Sequence, residues 1–287
     1  MKNNLLKAIG INIVIVIAES IVGFLSGSMA LISDALHNLT DVGSMVLSLF
    51  GEKVISKKPD GQKTYGYRKT EGIIALVNGL VLIALIGILI FESAQRIAHP
   101  ESFDTNKVLF TAILALIGNG IATYFLEKDH KHNLNLKSAW LHSLQDAIFS
   151  LGVIVAAIII HFTNLWIIDP IISIAISLFL LKEAGGLIKK SVNLLMDSVP
   201  ENMNIKTIKA ELGEIRGVAK VNDVHIWENG TDKRIFTVHL LKDKQSDASN
   251  DDIIASVQKL MLEKYKVDHS TIQIVNDNSE LQCEHCN

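Results

Sequence analysis

Four residues whose side chains hold metal ions recur in this sequence at one spacing. His37 and Asp41 stand four positions apart, and so do His142 and Asp146. On an α-helix, positions i and i+4 project from one face about one turn apart. Imidazole nitrogen and carboxylate oxygen both ligate zinc, which takes four ligands in a tetrahedron. Two such pairs on facing helices can therefore supply one complete site. Both pairs lie inside long apolar runs, where an ionisable side chain costs about 2.5–3.5 kcal/mol on insertion scales. Four left unpaired would cost on the order of 10 kcal/mol, so they are expected to face one another, water or an ion. The blander reading is two internal His–Asp pairs that only stabilise helix packing.

The elements that must position these pairs are membrane spans. The chain has 287 residues, 49% of them hydrophobic, with a mean hydropathy of +0.32. The apolar residues gather before about residue 190, and the remainder reads as water-soluble. Six apolar stretches approach the roughly 20 residues a bilayer core requires: 5–25, 29–50, 71–97, 107–126, 138–162 and 165–188. The second is interrupted by Asp34, His37, Asn38 and Asp41. Lysine and arginine concentrate at the N-terminus (Lys2, Lys7), around 53–69 (Lys53, Lys57, Lys58, Lys63, Arg68, Lys69), around 128–137 (Lys128, Lys131, Lys137) and after the last stretch (Lys189, Lys190). The positive-inside rule then puts both termini in the cytoplasm, which an even number of spans requires. The first run lacks a small-residue cleavage site and reads as a retained helix. The net charge of -3 says little about partners, whereas the lack of a basic stripe with interleaved aromatics argues against nucleic acid.

After about residue 195 the pattern changes. Residues 203–214 read as a helix, 218–227 and 234–241 as strands joined by a turn at Asn229-Gly230, 252–265 as a helix and 267–275 as a third strand. Helix, strand, strand, helix, strand suits a small α+β domain with its helices on one face of a sheet. The expected organisation is a transmembrane domain at 1–190, a hinge at 191–200, a cytoplasmic metal-sensing and dimerisation domain at 201–276, and a tail at 277–287. Cys283 and Cys286 in that tail have a spacing that lets two thiolates bind one soft ion, which is half a zinc site. In a cytoplasmic setting a stable disulfide is disfavoured. Redox chemistry and an inert tail are the other readings. No HExxH or nucleophile elbow is present, so a membrane enzyme is not expected.

Several runs carry a family resemblance. ESIVGFLSGSMALISDALHNLTD at 19–41, YGYRKTE at 65–71, NLN at 133–135 with WLHSLQD at 140–146, and Asp169-Pro170 together resemble the cation diffusion facilitators over nearly the whole chain. The resemblance implies six transmembrane helices with a ferredoxin-like C-terminal cytoplasmic domain, assembled as a homodimer. Each protomer would carry a transport site of His37, Asp41, His142 and Asp146. Histidine at the first of these positions goes with the zinc branch of the family, which also carries cadmium. Nitrogen ligands likewise favour zinc over magnesium, calcium or manganese. His225, His239 and His269 would meet at the dimer interface and bind regulatory zinc, or His225 and His239 are ordinary strand residues. Some family members place an aspartate two residues after the third histidine. Thr271 stands there in this chain, which leaves the fourth ligand open, with Asp268 or the tail as substitutes. Lys69 and Asp197 match positions that form a charged interlock between membrane domain and hinge. The 51–70 loop has Asp60 but no histidine, and no metal is expected there.

Metal binds deprotonated imidazole and carboxylate and so releases protons, and a histidine pKa near 6.5 puts that exchange close to physiological pH. Alternating access at such a site gives zinc/proton antiport, loading from the cytoplasm, in what is expected to be a prokaryotic inner membrane. Asp34, one turn before His37, either supports the site or lines a water-filled cavity. Glu19 reads as a helix–helix hydrogen-bonding residue. His130 and His132 either help gather metal or belong to a solvated loop.

Overall fold

The computed structural model describes residues 2–39, 54–127, 134–230 and 233–276, with the side chains of 2–9, 125–127 and 134–143 excepted. Asp41, His130, His132, Cys283 and Cys286 lie outside the described residues, as does the side chain of His142. Two compact units divide the chain, one comprising Met1–Phe50 and Ala75–Ile188, the other Gly51–Ile74 and Lys189–Asn287.

The first unit is a bundle of apolar helices: α1 (Lys2–Ser26), α2 (helical over 29–39), α3 (Thr70–Ala98, whose first turn falls in the other unit), α4 (Thr105–Glu127), α5 (Leu134–Thr163) and α6 (Ile168–Leu195). Among the described residues, four of them are long and apolar enough to cross a bilayer, over Thr70–Ala98, Thr105–Tyr124, Leu144–Thr163 and Ile168–Leu195, and α1 adds a shorter apolar segment, Gly10–Ser26. Their polarity is inverted relative to a soluble protein. Phe24, Val14 and Phe91 are 84%, 66% and 64% exposed, whereas Glu19, Asp34 and Asp146 are fully buried. Where the surrounding solvent is hydrocarbon, apolar side chains lose nothing by facing outward, and charges must turn inward. Small residues bring the helices close. A Cβ on Gly118 of α4 would stand 2.6 Å from Ile15 Cδ1 on α1, so glycine is what permits that approach.

A polar brace sets the depth of α2. Asp169, at the start of α6, accepts hydrogen bonds from Ser28 Oγ and Met29 N at 2.6 Å and from Ala30 N at 3.3 Å. It thereby satisfies the orphan amides of α2 and complements that helix's N-terminal dipole. One turn further in, Ser173 of α6 meets Ser33 of α2 at 2.7 Å and Ser93 of α3 at 2.8 Å.

The second unit contains an α+β domain: α7 (Ile205–Gly213), β1 (Val218–Glu228), β2 (Arg234–Lys242), α8 (Asn250–Glu263) and β3 (His269–Val275). The sheet order is β1-β2-β3, antiparallel between the first pair and parallel between the second. Alternation along β2 buries Phe236, Val238 and Leu240 against Ile208 and Leu212 of α7 and Ile253, Val257 and Met261 of α8. The four-residue spacing on α8 is the helical period meeting the two-residue period of a strand. Asn204 caps α7 by accepting from Lys206 N, and Ser249 with Asp252 forms a reciprocal capping box at α8. Every element expected beyond residue 200 is present, with no end shifted by more than two residues.

Candidate functional sites

The membrane site is built on α2 and α5. His37 lies two and a half turns into α2, and Asp146 lies midway along α5. His37 Nε2 stands 3.3 Å from Asp146 Oδ1, with the two side chains 5% and 0% exposed. Two ligand atoms each about 2.0–2.1 Å from a tetrahedral zinc stand about 3.3–3.4 Å apart, a separation that this pair matches. α5 is helical through both 142 and 146, which puts those two positions one turn apart on one face. An edge-on contact with Phe149, 5.4 Å between centroids, holds the His37 ring, and Phe149 in turn packs on Phe179 at 5.3 Å.

Further carboxylates surround this pair. Asp34 is fully buried and accepts from Ser150 Oγ at 3.3 Å. Its carboxyl also meets that of Glu19. Glu19 accepts from Asn38 Nδ2 at 2.9 Å, a bond between α1 and α2. Asp34 packs into the polar cluster beside His37. Gln145 escaped the sequence reading. Its Nε2 lies 3.4 Å from His37 Nε2 and 3.2 Å from Glu183 Oε1. No local pattern announces a glutamine beside a conspicuous aspartate.

In the cytoplasmic domain, a carboxylate that sequence reasoning passed over joins two of the three histidines. Asp223 Oδ1 is 2.7 Å from His225 Nε2, and Asp223 Oδ2 is 3.5 Å from His239 Nδ1. Asp223 sits at φ +51, where the β1–β2 register shifts between Asn222 and His225. A bulge re-aims side chains, and here it turns one carboxylate onto two imidazoles. A carboxylate on one ring nitrogen fixes the tautomer and leaves the other nitrogen for a metal, in this case His225 Nδ1 and His239 Nε2. The donor set suits zinc. His269 stands apart within the protomer. It pairs with Ile235, whereas His239 pairs with Gln273, four strand residues or about 13 Å away. The ring of Tyr65 packs edge-on against His269 at 6.0 Å. Asp268 is engaged elsewhere, accepting from Lys233 Nζ at 2.6 Å and from Arg234 N at 3.1 Å. Hydrogen bonding to Lys233 holds its carboxyl below the usual range. Among the described residues, no three metal-binding side chains converge on one point.

The 54–74 segment is part of this second unit. Asn229 Nδ2 donates to Tyr65 O at 2.9 Å, and Lys69 Nζ donates to both Asp197 oxygens at 2.7 and 2.9 Å. Asp60 accepts from Tyr67 Oη at 2.7 Å and from the amides of Gln62 and Lys63 at 2.8 Å. These bonds, the tyrosine's first, hold its carboxyl below the ordinary value.

An inverted apolar bundle with ionisable side chains packed at its centre, carrying a small α+β domain, defines an integral membrane transporter. Residues 5–196 match the cation efflux transmembrane domain, and residues 200–276 match the cation efflux protein cytoplasmic domain. The chain is 33% identical to the zinc transporter ZitB of Pectobacterium atrosepticum over 98% of its own length and 87% of the relative's. It is 32% identical to a cadmium, cobalt and zinc/H(+)-K(+) antiporter of Bacillus subtilis over 90% and 84% of the two chains. It is 31% identical to the cation efflux system protein CzcD of an Alcaligenes species over 90% and 81%. The chain belongs to the cation efflux family, the cation diffusion facilitators. It is a transporter and not an enzyme.

Proposed function

We propose that this protein exports zinc, with cadmium as a second substrate, from the cytoplasm in exchange for protons. Transport runs by alternating access through His37, Asp41, His142 and Asp146. The observation that carries this reading is the buried His37–Asp146 pair, 3.3 Å apart on two different helices. It is supported by the helical register that puts position 142 one turn from 146 on the same face. Zinc is the substrate class named for the ZitB relative, and zinc, cadmium and proton exchange are named for the Bacillus one. When zinc occupies the site, imidazole and carboxylate are deprotonated. When the site opens to the more acidic side, protons compete for the same lone pairs and release the ion.

The protein works as a homodimer in a bacterial inner membrane with both termini in the cytoplasm. The cytoplasmic domain binds regulatory zinc through His225 and His239, which Asp223 orients. His269 and the tail cysteines Cys283 and Cys286 supply further ligands from elsewhere in the dimer. The Lys69–Asp197 pair ties the 54–74 loop to the residues that follow α6. The test is zinc uptake into proteoliposomes across an imposed pH gradient, comparing wild type with Asp146→Ala. Uptake that follows the gradient and vanishes in the variant is expected. Uptake without accompanying proton flux would make the protein a passive zinc pathway and overturn the antiport mechanism.

A further inference from the structure

Asp169 bonds to Ser28 and Met29, which puts the starts of α2 and α6 at one depth with both helices running the same way. His37 is nine residues beyond Ser28, or about 13 Å at 1.5 Å per residue, and Glu183 is fourteen residues beyond Asp169, or about 21 Å. Glu183 therefore lies about 8 Å past the transport site, toward the end where Lys189 and Lys190 follow and which the positive-inside rule assigns to the cytoplasm. It is exposed, while His37 and Asp146 are buried. An exposed carboxylate still within a hydrocarbon core of about 30 Å needs water or a counter-ion beside it.

Gln145 bridges these two depths. Its Nε2 lies 3.2 Å from Glu183 Oε1 and 3.4 Å from His37 Nε2. A carboxylate only accepts hydrogen bonds, so the amide end that faces Glu183 is the NH2 group, and this fixes the flip of the side chain. An NH2 group carries two hydrogens, one for each partner. The second can be donated to His37 only if Nε2 is the acceptor nitrogen, and Nε2 is the atom that stands 3.3 Å from Asp146 Oδ1. Glu183 thus orients the amide, and the amide competes with the Asp146 carboxylate for His37 Nε2, the nitrogen within reach of both. We propose that Glu183 is the vestibule carboxylate that first binds the incoming divalent cation, and that Gln145 is a positioning residue linking it to His37. On arrival the cation takes the Glu183 oxygen, which releases the amide and opens Nε2.

This rests on the transport-site reading above, and the experiment separates the two. Radiolabelled zinc uptake is measured in proteoliposomes holding the full chain as wild type, Glu183→Gln, Glu183→Ala, Gln145→Leu, Glu183→Ala with Gln145→Leu, and Asp146→Ala. Equal reconstitution and a matching size-exclusion profile establish that each variant is folded. Glu183→Gln keeps an oxygen for the amide but loses the charge. It is expected to raise KM about 3–10-fold with kcat kept, as loss of one opposite charge near a cation does. Gln145→Leu is expected to lower kcat/KM about 10–100-fold, the usual effect of removing a group that orients a metal-binding histidine. The double variant is expected to be no worse than Gln145→Leu alone, since both act along one line. Fully multiplicative losses would overturn the relay, as would wild-type KM in both Glu183 variants. Loss of uptake in Asp146→Ala with none in the others would reject the relay and leave the transport site standing. Normal uptake by Asp146→Ala would reject the site itself.

Discussion

The two units of this molecule solve opposite problems with the same alphabet. In the membrane bundle, Glu19, Asp34 and Asp146 are fully buried while Phe24 and Phe91 face outward. In the cytoplasmic domain, Phe236 and Ile208 are fully buried, and the ion pairs Lys264–Glu211 and Arg216–Asp247 lie at the surface. The solvent decides. Water rewards burial of apolar surface by about 25 cal/mol per Å2, whereas lipid offers no such reward, and polar groups become what draws helices together. The two proposed metal sites therefore collect their side chains by different routes. In the bundle the ligands collect because no other surroundings suit them. In the domain they need a local distortion, the left-handed Asp223 at a bulge, to gather them on a sheet face.

Substitutions sharpen this contrast. The largest effect is expected from Asp146→Ala, which should bring gradient-driven zinc uptake to the protein-free background while the protein stays folded, because a buried charge is removed and not stranded. Next, Phe236→Ala should destabilise the cytoplasmic domain by about 3–5 kcal/mol, read as accelerated hydrogen exchange of β2 amides in the full-length protein. Phe91→Ala, of the same size but facing lipid, should stay within about 0.5 kcal/mol in a bilayer. Equal effects would break the inverted-polarity description. Asp223→Asn comes third. It should weaken zinc binding by the cytoplasmic domain about 10–100-fold, measured by competition with a chelating dye, and leave kcat at saturating zinc unchanged. Unchanged affinity would show that the bulge serves the strand and not the metal.

The smallest effect is a pH dependence confined to the soluble domain. Hydrogen bonds from Lys264 and Tyr265 hold the Glu211 carboxyl below its ordinary 4.5, and those from Ser249 hold Asp252 below 3.8. A depressed carboxylate contributes stability that is present above its unfolded value and lost as pH falls through the folded one. The domain should therefore loosen only below about pH 4.5. Burial, then the Glu211 bond, pushes Tyr265 up to about 12. Its contribution has the opposite sign, fully present below about pH 10 and lost as pH rises through about 12. Glu211→Gln should flatten the acid limb of a hydrogen-exchange profile. An unaltered limb would assign it to other carboxylates.

Much of this was legible in the chain because it depends on period. A four-residue step aligns His142 with Asp146 on any helix, and the two-residue alternation of Phe236, Val238 and Leu240 marks a strand with one buried face. Apolar run length marked the spans for the same reason, since it is a property of a short window. What only tertiary structure decided is which windows meet. Asp223 is unremarkable in the sequence and becomes a partner of two histidines because one strand slips its register against another. Gln145 and Glu183 come together only because α5 packs beside α6. The 54–74 loop, which reads as a link between two spans, bonds instead to the β1–β2 turn through Tyr65 and Asn229. His239 and His269, equally suited to metal by type, end about 13 Å apart because parallel pairing of β2 with β3 fixes their register. Residue type and period are local properties that the sequence states outright, whereas register and packing depend on the whole chain finding its lowest free energy.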